Sequence, residues 1–357
     1  MNNNTCLITL TNGQLLAVSD NELTSRKWAD DSCMWIQQGE QFQSASGDFS
    51  LDASELKALE LDGESLLEVR PGPCRLPSEL LEELQRTGMT VVENVLDAAA
   101  TSRIKERAAK QRAKHHADED PYDGHFWMMS SLLWSADVAR ASSHPVALWL
   151  IQQYMKTEAI HFCHQPVMTT LKPAKAYIGN YPEGGWHSDY PYHPGVFPDE
   201  DWPESPPLGV QFNTCIDPFE PETAGTQYIP GSHLRGSWPP AEMNLGGTHV
   251  GKGLHKDVKQ IVAPAGAAVL YDARTWHRAC HELNVSGKDR IALLNAVAPA
   301  WVLPMMDKEP IAKIYPDSET PAQLTERERD DINRLCHSQT QPVPDDMPDL
   351  QVRLAAR

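Results

Sequence analysis

The chain has 357 residues, 41% of them apolar, and a formal net charge of −18 at pH 7. That charge speaks against a nucleic-acid backbone as partner, and the absence of a run of about 18 apolar residues speaks against a membrane span. Seven scattered cysteines with no CxxC pair fit reduced thiols, and the first residues lack the basic-then-apolar pattern of a secretory leader, so a cytoplasmic protein is expected.

Residues 5 to about 75 alternate short apolar runs with turn residues. Cys6-Leu7-Ile8-Thr9-Leu10 and Leu15-Leu16-Ala17-Val18 flank Asn12-Gly13, a strong hairpin signal. Further strands are expected around Met34 to Ile36, Phe49 to Leu51 and Leu66 to Val69. This is a β-rich N-terminal extension, residues 1–75, with no chemistry of its own, and Pro71-Gly72-Pro73 reads as a linker. After it, Pro77 to Leu84 reads as a capped amphipathic helix, Thr90 to Asp97 as a strand, and Ala98 to about Lys114 and Pro145 to Lys156 as helices. From residue 160 to about 300 the texture turns to short β runs broken by Pro and Gly. Residues 302–357 are rich in Pro and Asp with one helical segment at Thr325 to Leu335, and read as a surface wrap. Helices followed by strands predict an α+β, mainly β architecture in which a sandwich or jelly roll holds the site.

The chemistry concentrates in Trp186-His187-Ser188-Asp189-Tyr190. His187 and Asp189 are two apart, so on an extended segment both side chains share a face. His277, in Arg274-Thr275-Trp276-His277-Arg278, offers a third ligand. Two histidines and one carboxylate with open positions form the facial triad of non-haem Fe(II) oxygenases. A bare HxD is more often a hydrogen-bonded surface turn. Three further features raise its weight: Gly225-Thr226-Gln227-Tyr228-Ile229-Pro230-Gly231-Ser232-His233, the strand-like run Gly266 to Leu270 before His277, and Asn284-Val285-Ser286 followed by Arg290-Ile291-Ala292-Leu293-Leu294.

With these elements in this order, from about residue 80 to residue 301, the chain resembles the phytanoyl-CoA dioxygenase family of Fe(II)/2-oxoglutarate oxygenases. The resemblance implies a double-stranded β-helix (jelly roll, cupin-like) in residues 76–301, with Fe(II), 2-oxoglutarate and O₂ at its open end. His187, Asp189 and His277 match the iron ligands, and Arg290 matches the arginine that holds the far carboxylate of 2-oxoglutarate. A guanidinium fork pairs a carboxylate bidentately and stays charged when buried. Gln211, Asn213 and Thr226, with Lys175 and Tyr177 on the strand before HxD, are further cosubstrate candidates. Trp186, Tyr190, Tyr192 and His193 are candidates for substrate contact, and aromatic residues beside a ligand serve equally as core. His233 reads as part of a structural turn.

The sequence departs from the family pattern where the usual glycine before the Pro-Gly-Ser-His turn is displaced, as Ala224-Gly225, and residues 1–75 have no counterpart in a minimal member. Asp189 stands where halogenases carry a small residue, which disfavours halogenation. The expected activity is hydroxylation of an unactivated C–H bond of a small organic substrate, releasing succinate and CO₂. Its rivals are a 2-oxoglutarate-independent cupin-like metalloenzyme and a non-catalytic scaffold on the same fold. The sequence leaves open the substrate, the choice among hydroxylation, desaturation, epimerisation and ring formation, and whether the chain forms a homodimer.

Overall fold

The computed structural model describes residues 5–115, 125–128, 130–174, 185–193, 196, 206–244, 256–305 and 309–337. Alternating apolar runs and tight turns produce an antiparallel N-terminal sheet. Its strands are β1 (Thr5–Leu10), β2 (Leu15–Ser19), β3 (Glu22–Arg26), β4 (Trp35–Gln38), β5 (Gln41–Ser44) and β6 (Ser50–Asp52), then, after helix α1 (Ala53–Lys57), β7 (Glu60–Leu61) and β8 (Glu64–Pro71). The order runs β3-β2-β1-β4-β5-β6, with β8 also pairing β1. Cys6, Ile8, Leu16, Trp35, Phe42 and Leu51 fill the inside of this unit. The buried Trp35 indole donates to the Leu16 carbonyl at 3.0 Å, so its polar atom is satisfied.

Pro77 at N1 and Gly88 beyond the last turn bound helix α2 (Pro77–Thr87), a proline start and glycine stop. Next come β9 (Met89–Val92), α3 (Ala98–His115), β10 (His125–Met128), α4 (Ala136–Ser142) and α5 (Pro145–Met155). Asn94, two residues past the end of β9, has a positive φ of 58°, and the strand expected to reach Asp97 stops early. The remaining strands are β11 (Ile160–Leu171), β12 (Val210–Cys215), β13 (Gln227–Tyr228), β14 (Lys259–Gln260), β15 (Ala268–Asp272), β16 (His277–Arg278) and β17 (Arg290–Pro299). Helices α6 (Glu309–Ile314) and α7 (Glu326–Cys336) follow.

Among the described residues the core forms a six-stranded antiparallel sheet, β10-β11-β17-β12-β15-β9, and a three-stranded one, β14-β13-β16. These are the two layers of a jelly roll, and they do not close into a barrel. Alternation divides the larger sheet. Phe162, Val210, Phe212, Leu270, Leu293 and Val297 share a continuous core with the helices. Gln211, Asn213 and Tyr271 lie on the opposite face, with Gln211 directly across from Tyr271. The C-terminal segment is anchored by α7, where Arg327 donates to the Gly13 carbonyl at 2.7 Å and to the Ser143 carbonyl at 2.9 Å.

Candidate metal centre

The segment bearing His187 and Asp189 is short and lies outside the named strands, yet it is held firmly. His187 and His277 exchange two backbone hydrogen bonds, 3.0 and 3.1 Å, and the Asp189 N–H donates to the Ala273 carbonyl at 2.7 Å. The side chains therefore converge from two segments that share a ladder. One donor atom from each of His187, Asp189 and His277 falls within a span of 4.8 Å. His187 Nε2 lies 3.7 Å and His277 Nε2 3.2 Å from the Asp189 carboxylate, and the imidazole centroids are 4.3 Å apart.

Backbone carbonyls set the imidazole tautomers. His187 Nδ1 lies 2.7 Å from the Gly185 carbonyl and His277 Nδ1 lies 2.9 Å from the Thr275 carbonyl. A carbonyl only accepts, so each Nδ1 carries a proton and each Nε2 is turned toward Asp189, free to serve as a metal ligand once deprotonated. Burial works against ionised Asp189, but the charge and hydrogen bond of His277, with His187 beside it, outweigh burial and hold its carboxyl well below the usual range. Burial lowers the pKa of His187 further with the help of His277. For His277 burial is outweighed by Asp189, and its pKa is raised. Two imidazole lone pairs and an ionised carboxylate on one side of a divalent cation match the donor set that Fe(II) takes in a facial triad.

A buried turn fixes the His277 end. Asp272 is fully buried and receives Tyr154 Oη at 2.5 Å, Arg274 Nη2 at 2.6 Å and the Arg274 N–H at 2.7 Å. Gly88 packs against the same turn: a Cβ there would meet Thr275 Oγ1 at 2.5 Å and His233 Nδ1 at 2.6 Å. His233 is buried with Nε2 3.0 Å from the Gln85 carbonyl, and Ser232 Oγ accepts the Trp276 N–H at 2.8 Å. The Pro-Gly-Ser-His turn thus braces the strand carrying His277. The displaced glycine has a reason too, because a Cβ at Gly225 would lie 2.2 Å from the Ile261 carbonyl oxygen.

The three donors open into a cavity of about 290 Å³. Arg290 borders it, 6% exposed, with its guanidinium 4.1 Å from the Phe219 ring centroid. Gln211, Asn213 and Thr226 also line the cavity. Asn213 Nδ2 donates to the Tyr271 hydroxyl at 3.2 Å, and among the described residues nothing donates to Asn213 Oδ1. The donor set and this polar lining fit an iron ion and a dicarboxylate.

The structure separates the aromatic candidates from the cavity. Trp186 packs with Ile229, Met243 and Trp276, and Arg278 stacks 5.9 Å from its ring centroid. Tyr192 is fully buried against Ala273, Leu208 and Trp238, with its hydroxyl on the Pro206 carbonyl at 2.5 Å. Tyr190 packs with Cys163, Ala296 and Ala298 and donates to the Leu303 carbonyl at 2.8 Å. None of the three lines the cavity: Tyr190 and Tyr192 follow the turn after Asp189, and Trp186 precedes His187. His193 is half-buried and outside the lining, near enough for its charge to act on His187 and Asp189. Lys175 and Tyr177 lie outside the described residues.

Sequence reasoning passed over Tyr271, His164, Thr169, Phe219 and Met305, all of which border the cavity. Tyr271 stacks 4.8 Å from His277, and alternation along Ala268 to Asp272 places it on the face of Val269. His164 lies between two register shifts on β11, so no simple alternation reveals its direction.

Comparison with known proteins follows the same lines. An uncharacterized protein of Mycobacterium bovis and one of Mycobacterium tuberculosis are each 23% identical over 233 residues, covering 60% of this chain and 72% of the relative. Among solved structures, the non-heme alpha-ketoglutarate-dependent epimerase SnoN from nogalamycin biosynthesis has 16% identity and a TM-score of 0.44, with 63% of this chain and 83% of that one covered. The alpha-ketoglutarate-dependent carbocyclase SnoK has 15% identity and a TM-score of 0.44, covering 66% and 89%. AviO1 from Streptomyces viridochromogenes has 17% identity and a TM-score of 0.42, covering 62% and 94%. The phytanoyl-CoA dioxygenase (PhyH) family model matches residues 84–292, more than half of the chain and all three converging donors. The chain belongs to the phytanoyl-CoA dioxygenase family, enzymes of the Fe(II)/2-oxoglutarate-dependent oxygenase superfamily that use iron, 2-oxoglutarate and O₂.

Proposed function

We propose that this enzyme hydroxylates a C–H bond of a small organic substrate, with His187, Asp189 and His277 holding Fe(II) and Arg290 holding the far carboxylate of 2-oxoglutarate. The observation that carries this reading is the convergence of the three donors and a buried guanidinium on one cavity. Bound iron with 2-oxoglutarate and O₂ supplies the oxidising power for C–H cleavage, with release of succinate and CO₂.

The chain's own residues orient and enclose. The Gly185 and Thr275 carbonyls accept from the Nδ1–H groups and so orient the two imidazoles with Nε2 toward the centre, as outer partners of metal-bound histidines do. Arg290 fixes one end of the cosubstrate, while Gln211, Asn213 and Thr226 supply polar contacts along it. Phe219, Leu294 and Met305 supply apolar wall, which excludes water from the reacting atoms. The Arg290 position supports this reading over a cosubstrate-free metalloenzyme, which has no use for a buried cation there. The intact donor set supports it over a non-catalytic scaffold.

The test is succinate formation from 2-oxoglutarate under air, with and without Fe(II). Iron-dependent succinate that vanishes in His277→Ala is expected, and succinate formed at the full rate by that variant contradicts the assignment. Once a substrate is in hand, labelled O₂ separates the outcomes: label in the product marks hydroxylation, and an unlabelled product marks desaturation, epimerisation or ring closure.

A further inference from the structure

A second concavity, about 490 Å³, opens where β1 and β8 of the N-terminal sheet meet the N-terminal ends of α3, α4 and α7. Four guanidinium groups border it. Protein partners hold three of them. Arg103 grips Asp137 with bonds of 2.8 and 2.9 Å. Arg140 donates to Asp137 at 3.3 Å and to the Gln323 carbonyl. Arg327 donates to the Gly13 and Ser143 carbonyls and to Asp331.

Arg70, on β8, differs. Among the described residues its Nε is buried with no hydrogen-bond partner and its guanidinium makes no ion pair. The acids bordering the cleft do not pair with Arg70: Asp97 caps the Ala100 N–H at 2.6 Å, Glu328 accepts the Thr325 N–H at 2.9 Å and stands 3.8 Å from Arg327 and 3.9 Å from Arg140, and Glu68 stands on the exposed rim. Burial first, then the nearby Arg327 charge, weighs against charged Arg70, and Glu68 and Glu328 only partly offset this. Arg70 as a residue is half-buried, but its guanidinium stays protonated at neutral pH and its enclosed Nε has no acceptor, so an anion in the cleft would complete it.

We infer that this cleft binds a small oxyanion, a phosphate or a dicarboxylate, with Arg70 as its main donor and Arg327 as the second positive charge. A guanidinium fork fits either anion with paired N–H groups. The site is composite, since Arg70 comes from the N-terminal sheet and Arg327 from the C-terminal helix. Occupancy therefore ties the extension to the C-terminal segment, in a cleft that α3 and α4 also border, and the extension gains a role that needs no catalytic residue.

The test is thermal unfolding of the full chain in sodium phosphate, in disodium succinate, and in sodium chloride of the same pH and ionic strength. Phosphate is expected to raise Tm by about 2–5 °C over chloride, both in the wild type and in Arg290→Ala, but not in Arg70→Gln. If succinate acts in this pattern and phosphate does not, the occupant is a carboxylate and the site stands. The same rise in Arg70→Gln, or no rise over chloride with either anion, overturns the inference. Arg70→Lys keeps the charge and loses the fork, so it guards against a variant that does not fold. By calorimetric titration it should bind the active anion about tenfold more weakly than wild type, and equal affinity overturns the inference as well.

Discussion

The two large sheets of this chain bury their inner faces equally well but fill them differently. Inside the N-terminal sheet lie Cys6, Ile8, Leu16, Trp35 and Phe42. The one indole nitrogen there has a carbonyl to donate to, and burial pushes the Cys6 thiol up to about 12, leaving it unreactive. The cavity face of the core sheet carries Gln211, Asn213, Tyr271 and Arg290, each below 10% exposed. Desolvating such groups costs free energy that a stability-driven core avoids. Inward polarity on a strand thus marks a site, and inward apolarity marks scaffold.

Substitutions test that contrast, and the largest effects should come from the donors. His187→Ala or His277→Ala should abolish iron binding and turnover while the fold survives, as read by metal content and circular dichroism; normal iron content in either variant breaks the contrast at its strongest point. Next is Trp35→Ala on the scaffold side. It should cost about 3–5 kcal/mol in chemical denaturation and leave iron and 2-oxoglutarate affinities unchanged in the folded protein. Arg290→Ala should raise the 2-oxoglutarate requirement about 10- to 100-fold, the loss of a charge-assisted hydrogen bond worth about 1.5–3 kcal/mol, with little effect on iron affinity. The smallest pair sharpens the boundary. Tyr271→Phe removes a hydroxyl from the cavity and Tyr192→Phe one from the packing outside it, each worth about 1 kcal/mol. The first should appear in the apparent 2-oxoglutarate constant and the second in Tm alone; the reverse pattern would show that cavity lining does not sort these residues.

How much was legible in the sequence follows from how local each signal is. The N-terminal hairpin, the start of α2, the bounds of α5 and α7, and the HxD spacing all reside in a few consecutive residues, and the structure places them within a residue or two, although α2 runs three residues past Leu84 to Thr87. Gln211 and Asn213 were readable through period-two alternation, although only the fold shows which face is inward. Tyr271 needed the β12–β15 register, which pairs it with Gln211 and is written nowhere in the local sequence. Trp186, Tyr190 and Tyr192 were named for their proximity in the chain, and the structure packs them with Trp276, Ala296 and Trp238, outside the lining of the cavity. Arg70 was invisible because its significance rests on Arg327, 257 positions away, across a cleft only the assembled fold creates.

The most direct test of the central claim, that one cavity holds iron and 2-oxoglutarate together, is an anaerobic visible spectrum of the protein titrated with Fe(II) and then with 2-oxoglutarate. A weak charge-transfer band should appear only when both are present, vanish in Asp189→Ala, and need far more 2-oxoglutarate in Arg290→Ala. Iron bound normally with no band at any 2-oxoglutarate concentration would contradict it.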